Sequence, residues 1–190
     1  MHVQLYDYDG TIRPGDTGSA FWLFCLVRRP YILLFLPFQA LGGLCYLLGV
    51  CERFSRICSV HCYMRALNAP KLAQRFAARQ LRKIYPYFLS RDRSLPTVVC
   101  SASPAFLLAP ICGALGVDTL VATDVDPRTG VIRSPVCKGE RKVQRLRAEY
   151  PLFQYDAVYS DSLRHDMPIL RLGNRAFRVE NGVPHLLDLS

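Results

Sequence analysis

Short apolar runs that stop at polar residues alternate along this chain with segments of helical spacing. The run Val3–Tyr6 stops at Asp7, Asp9 and Gly10; Leu95–Cys100 stops at Ser101-Ala102-Ser103-Pro104; Tyr155–Ser160 stops at Asp161. Asp118–Thr123 reads as a further strand, Asp126–Gly130 as a turn, Val131–Arg133 as a short return strand, and Arg175–Val179 as a last strand before an Asn181-Gly182 turn. Helices are predicted from Ala105 to Leu115, behind Pro104, and around Val143 and Leu146 with Lys142 near the start. Repetition of strand, polar residue and helix predicts an α/β fold, a Rossmann-like parallel sheet with helices on both faces.

Residues 15–90 break this rhythm and are predicted as an all-helical insertion, apolar over 20–50 and basic over 51–90, leaving 1–14 and 91–190 as the core. Ala20–Val27 is apolar, Arg28-Arg29-Pro30 interrupts it, and Tyr31–Val50 then runs for twenty residues without a formal charge, a length able to cross a bilayer. Pro37 and Gly42-Gly43 are expected to break that run into two short helices, forming a hairpin that is either buried in the protein or laid in a membrane interface. A single crossing would separate Asp9 from the later polar residues, so the segment either stays on one side or enters and returns. Beyond the break at Asn68-Ala69-Pro70, Leu72, Phe76, Leu81 and Ile84 form a helical stripe.

Charge sharpens the picture of the insertion. The net charge is +9, and residues 51–95 hold ten Lys and Arg against Glu52 and Asp92. The readings of this block are a solvated face or attraction to anionic headgroups. Nucleic acid is not expected as a partner, because no recognisable binding module accompanies the basic residues. The 8 cysteines are irregularly spaced, and Cys58, His61 and Cys62 lack a second pair at zinc-type spacing. No signal peptide precedes the first strand, which gives a cytoplasmic expectation, with a peripheral place on the inner face of a membrane as the alternative.

Chemistry concentrates at Asp7 and Asp9. Two residues apart at the carboxyl end of a strand, their side chains project the same way, where open α/β sheets bind ligands. Adjacent carboxylates repel unless a cation or proton relieves them, and Mg²⁺ with a substrate phosphate suits hard oxygen donors. Asp-Gly after an apolar run is also a hairpin-turn signal. Ser101 and Ser103 are expected at a helix N-terminus, either at a phosphate or as a plain cap. Asp16 and Ser19 are candidate caps of the first inserted helix.

Taken in order, Asp-Tyr-Asp-Gly-Thr, Cys-Ser-Ala-Ser, a lysine and Ser-Asp-Ser-Leu-Arg-His-Asp-Met-Pro resemble the four motifs of the haloacid dehalogenase superfamily of phosphotransferases. Ser-Ala-Ser-Pro and Cys-Lys-Gly-Glu-Arg-Lys-Val look in particular like its phosphoserine-phosphatase-like branch, subfamily IB, which includes phosphatidylglycerophosphate phosphatases. The resemblance implies a Mg²⁺-dependent phosphomonoester phosphatase with an inserted helical cap. Asp7 would be the nucleophile that forms an aspartyl-phosphate, and Asp9 the general acid and base. Asp7, Asp9 through its carbonyl, and Asp161 would hold the metal, and Thr11, Ser101, Ala102 and Lys142 the phosphoryl group. Lys138 is the other candidate for the motif lysine. Ser162 and Asp166 would support the site, and Asp16 aligns with a substrate-reading position. Ser160 and Tyr8 depart from the usual glycine and phenylalanine. The oily, basic cap suggests a lipid or membrane-associated phosphate, with a small soluble ester such as phosphoserine as the alternative. A third reading is a non-catalytic protein that binds a membrane surface. Oligomeric state is not legible.

Overall fold

The computed structural model describes residues 1–48 and 60–189. The expectations attached to Arg53, Arg56 and Cys58 lie outside the described residues. Strand β1 (His2–Tyr6) opens the chain and is followed by α1 (Thr17–Arg28), a 3₁₀ turn at Pro30–Phe35, α2 (Leu36–Leu47), a second 3₁₀ turn at Cys62–Ala66, α3 (Ala69–Gln80) and the short α4 (Pro86–Leu89). The chain then alternates: β2 (Thr97–Pro104), α5 (Ala105–Leu115), β3 (Thr119–Thr123), α6 (Glu140–Glu149), β4 (Gln154–Ser160), α7 (Leu163–Leu170), β5 (Gly173–Glu180) and β6 (Val183–Leu187).

The strands form one sheet in the order β3-β2-β1-β4-β5-β6, parallel from β3 to β5. Side chains of adjacent strand residues leave on opposite faces, so Leu5 and Tyr6 enter different cores. On one face Val3, Leu5, Val98 and Val158 pack with Val143 and Leu146 of α6 and Ile169 and Leu170 of α7. On the other, Tyr6, Tyr8 and Val99 pack with Leu108, Ile111 and Leu115 of α5. A sheet with apolar side chains on both faces must be covered twice, and the helices do so.

Between β1 and β2 every described element is helical. These helices share a core of their own, Phe21, Phe24, Ile32, Tyr63, Met64 and Phe76, which Leu107 of α5 joins. The inserted layer is therefore seated on a helix of the sheet domain by apolar contact. Its return is fixed by Arg91, which is buried and donates to Thr97 Oγ1 at 3.0 Å, the Phe88 carbonyl at 3.1 Å and the Leu115 carbonyl at 2.8 Å.

Several local expectations are corrected. Helix α2 runs unbroken through Gly42-Gly43, and Pro37 sits in its first turn, where a missing N–H costs little. The change of pitch falls instead between Phe35 and Leu36. The buried stripe of α3 is Ala73, Phe76, Ala77 and Gln80, because the α-helix stops at Gln80 and tightens to 3₁₀ over Leu81–Lys83. Arg91, counted with the exposed basic block, is a buried clamp. Residues Val131–Arg133 contribute only an isolated antiparallel bridge, Val125 with Ile132. The sheet also gains β6, antiparallel to β5 after a turn in which Asn181 and Gly182 both take positive φ. Among the described residues no helix is long and apolar enough to cross a membrane.

Candidate active site

The carboxyl ends of β1, β2 and β4 converge beneath the inserted helices on a cavity of about 740 Å³. Asp7, Asp9, Asp16, Ser101, Ala102, Lys138, Lys142, Asp161, Ser162 and Asp166 all line it. Topology explains this meeting: β1 lies between β2 and β4, so residues far apart in sequence leave the sheet side by side.

Strand β1 ends at Tyr6, one residue before Asp7, and Asp7 stays tied to the sheet because its N–H donates to the Tyr159 carbonyl at 2.9 Å. Its carboxylate is divided between two neighbourhoods. Oδ1 accepts from Lys142 Nζ at 2.6 Å, and Oδ2 faces the Thr11 hydroxyl at 3.4 Å. Burial pushes the Asp7 carboxyl up to about 7, against the pull of the Lys142 ammonium.

Lys142, in the first turn of α6, is buried and reaches back across the sheet edge to Asp7 and, at 2.9 Å, to Asp166 Oδ2. Burial alone would lower its pKa, but the two carboxylates outweigh that cost and raise it, so the ammonium stays charged. Ser160 donates to the same Asp166 oxygen at 2.7 Å and accepts from the Ser162 N–H at 3.2 Å. Lys138 is exposed at the wall of the cavity. Ser162 caps α7, its hydroxyl accepting from the His165 N–H at 3.3 Å.

Asp9 is oriented toward the inserted layer. Its Oδ1 accepts from both the N–H and the hydroxyl of Thr17, the first residue of α1, and its Oδ2 accepts from Ser103 Oγ at 2.5 Å. Arg13, buried, donates to Thr17 Oγ1 at 3.0 Å and lies 3.7 Å from Asp9 Oδ1. Burial raises the Asp9 pKa, opposed by the bonds from Ser103 and Thr17.

Thr11 is fully buried behind the carboxylates, and its hydroxyl lies between them: 3.4 Å from Asp7 Oδ2, 3.3 Å from Asp161 Oδ1, and 2.9 Å from the Asp161 N–H it accepts. Its side chain therefore sets the spacing of two acids. The physical reason is the turn after β1, which folds Thr11 back under the strand end. Ser101 and Ser103 are both strand residues, and the N-cap of α5 is Pro104, which has no side-chain bond. Neither serine is a cap; the Ser101 hydroxyl accepts from the Ser103 N–H at 3.1 Å. Asp16 caps α1, Oδ1 accepting from the Ser19 N–H at 2.6 Å, while still lining the cavity.

The donor set fits a hard divalent cation. Asp7 Oδ2 and Asp161 Oδ1 converge on one hydroxyl, and no ion pair to Asp161 occurs among the described residues. Burial also raises the Asp161 pKa, a strain a cation would relieve. Gly10 makes the space: a Cβ there would sit 2.2 Å from Asp161 Oδ2. No group of three or more His, Cys, Asp or Glu side chains at metal-holding distances exists among the described residues, so a cation here would be held by two carboxylates, main-chain oxygen and water, as Mg²⁺ accepts.

Sequence reasoning missed Thr17, Arg13 and the supporting role of Ser160, and weighed Ser103 only as a phosphate or capping residue. It also missed the far wall, where the inserted layer contributes Trp22, Gln39, Val60, His61 and Tyr63. Burial lowers the His61 pKa to about 4, so among the described residues of this wall none carries a positive charge at neutral pH. Only the position of Thr17, directly after a predicted cap residue, offered a signal.

Comparison with known proteins agrees with this architecture. The chain is 26% identical over 195 residues to protein CicA of Caulobacter vibrioides, covering 94% of this chain and 86% of that protein. In three dimensions it is similar to a Bordetella pertussis protein of unknown function (TM-score 0.65, 23% identity, covering 92% and 88% of the two chains). It is also similar to a probable phosphoserine phosphatase from Vibrio cholerae (TM-score 0.60, 10% identity, 92% of this chain and 55% of that one). Residues 5–171 match the haloacid dehalogenase-like hydrolase family, and the chain belongs to it.

Proposed function

We propose that this chain is a Mg²⁺-dependent phosphomonoester phosphatase of the phosphoserine-phosphatase-like branch, with 1–14 and 91–190 as catalytic core and 15–90 as cap. The observation that carries the reading is the split environment of Asp7, one oxygen held by a buried ammonium and the other turned toward Asp161. Asp7 attacks phosphorus, and the ester oxygen leaves with a proton from Asp9, whose raised pKa suits it to hold that proton. Asp9 then takes a proton from water, the water oxygen attacks the aspartyl-phosphate, and inorganic phosphate departs as Asp7 is restored. Lys142, Ser101 and the backbone at Ala102 would stabilise the phosphoryl oxygens. Asp7, the Asp9 carbonyl and Asp161 would hold Mg²⁺, which when bound offsets phosphoryl charge.

The substrate reading follows from the cap wall. Trp22, Val60 and Tyr63 are apolar or aromatic, Gln39 is neutral, and His61 is uncharged. Among the described lining residues, Asp16 uses one carboxylate oxygen to cap α1, and Lys138 is the exposed lysine that could meet a substrate carboxylate. A zwitterion such as phosphoserine is poorly matched by that set, whereas an amphiphilic phosphate, as on a lipid or at an anionic membrane surface, is well matched. The phosphatidylglycerophosphate phosphatases that the branch includes are a precedent for such a substrate, and a soluble ester is the second reading.

The test is phosphate release with Mg²⁺ from phosphoserine, a sugar phosphate, a nucleoside monophosphate, and phosphatidylglycerophosphate and phosphatidic acid in mixed micelles. Asp7→Asn is expected to abolish release while the protein stays folded. Undiminished release from that variant would overturn the nucleophile assignment.

A further inference from the structure

We propose that the exposed apolar face running from α1 through the Pro30–Phe35 turn into α2 docks on an anionic phospholipid surface, with the basic side of α3 against the headgroups. This deepens the amphiphile reading above and rests on it only for why a phosphatase would need such a surface.

The face is unusual for a protein in water. Leu23 and Val27 lie one helical turn apart on α1, and Val27 is 74% exposed. Leu34 in the 3₁₀ turn is also 74% exposed, and on α2 Pro37, Leu41 and Leu44 recur at helical spacing, continued by Leu48 just beyond it. No charged side chain occurs from Pro30 to Leu48. Of the described positions along α2 only Gly42 is fully buried. Contiguous exposed apolar surface of this kind marks an interaction site.

Dimensions decide how lipid would meet it. The 12 residues of α2 extend about 18 Å, against roughly 30 Å of hydrocarbon core. The helix therefore lies along a membrane interface, its apolar side at the acyl boundary.

Charge selects the occupant. Arg28 and Arg29 close α1, and Lys71, Arg75, Arg79, Arg82 and Lys83 are exposed along α3 and the turn after it, a stretch with no acidic residue. The two basic sets meet at Phe24, whose ring centroid lies 3.7 Å from the Arg28 guanidinium carbon and 5.4 Å from that of Arg79. An apolar face bordered by unopposed cations complements an anionic bilayer. A second copy would bring a second +9 charge against the same border.

The same helix reaches the catalytic cavity. Gln39 of α2 lines it and donates to the Val60 carbonyl at 2.7 Å. One short element thus carries the outer apolar face and part of the wall opposite Asp7, which brings a membrane surface and the candidate site to the same end of the molecule.

The test uses the full chain and vesicles of phosphatidylcholine, alone or mixed with phosphatidylglycerol, with Mg²⁺-dependent turnover of p-nitrophenyl phosphate as the soluble control. Co-sedimentation is expected with the anionic vesicles, to weaken as salt rises, and to fall about tenfold or more in Leu34→Glu/Leu41→Glu, whose turnover of the soluble ester is unchanged. Retention in the supernatant at low salt, equal binding to phosphatidylcholine alone, or binding indifferent to the paired substitution would each overturn the proposal. So would a stable dimer that the paired substitution dissolves. The two readings fail separately, because absent turnover by the wild type counts against the phosphatase and leaves the partition result to decide the surface.

Discussion

The backbone of Gly10 passes so close to the Asp161 carboxylate that any Cβ there would lie 2.2 Å from Oδ2, and Gly10 holds φ at +80°. The close approach and the left-handed backbone have one result: the loop after β1 lies against the acid after β4. Gly10→Ala should displace Asp161, cost roughly 1–3 kcal/mol of stability, and reduce Mg²⁺-dependent turnover more than tenfold. Thermal unfolding and steady-state assays check this, and an alanine variant with native turnover would show that Asp161 is not held by the approach.

Lys142 and Lys138 should separate cleanly. Lys142→Ala leaves the Asp7 and Asp166 carboxylates buried without their cation, an expected loss of about 3–5 kcal/mol. Lys138→Ala removes an exposed side chain, with an expected change within about 0.5 kcal/mol. Denaturant melts of both variants, read with their phosphatase activity, decide which lysine serves the site; a greater activity loss at position 138 would reverse the assignment.

Mg²⁺ is expected to raise the melting temperature. At free Mg²⁺ near 100 times its Kd the linkage adds about 2.7 kcal/mol. Asp161→Asn should remove this increment, and calorimetry with and without Mg²⁺ measures it independently of turnover. An equal shift in the variant would move the metal elsewhere.

Alkali should unfold the protein. Burial raises the phenol pKa values of Tyr6, Tyr8, Tyr63 and Tyr87, and pushes that of Tyr155 to about 12. Lys142 is likewise raised against burial by its carboxylate partners. In each case the folded chain keeps a proton that the unfolded chain releases near pH ~10, so these groups leave stability level below about pH 10 and lower it as pH rises beyond. Chemical melts at stepped pH test the slope, and a gain in stability above pH ~10 would contradict it.

Arg91→Ala should destabilise the chain by about 2–4 kcal/mol, because the Thr97 hydroxyl and the Phe88 and Leu115 carbonyls lose a shared donor. Arg91→Lys should recover only part of that loss, since one ammonium cannot span the same fork.

What the sequence reveals of this molecule depends on how local each cause is. The strand-then-acid pattern at Asp7 and Asp161 and the start of α5 at Ala105 are set by neighbours within a few residues, and periodicity exposes them. Strand β6 was hidden because Val183-Pro184-His185-Leu186-Leu187 is short and carries a proline, tolerable only where one edge of the strand is free. Helix α2 was misjudged because Gly42-Gly43 looks like a break, yet neither glycine interrupts the helix; Gly42 is buried and a Cβ at Gly43 would meet nothing within 4 Å. The bonds that Asp9 accepts were not legible for another reason: Thr17 and Ser103 reach it only once α1 and β2 are folded around it. Buried Arg13 and Arg91 have no signature, since charge in a sequence does not say which side of the surface it occupies.

The chain contains 1 tryptophan, Trp22, and α1 sets it half-buried in the wall of the cavity that holds Asp7 and Asp9. Ultraviolet emission from the unlabelled protein therefore originates at one place, facing whatever occupies that space. A phosphate-bearing amphiphile entering would dry the indole and move its emission to the blue, whereas a small hydrated ion beneath it would leave the colour unchanged. The molecule thus carries its own optical probe of the space above the carboxylates.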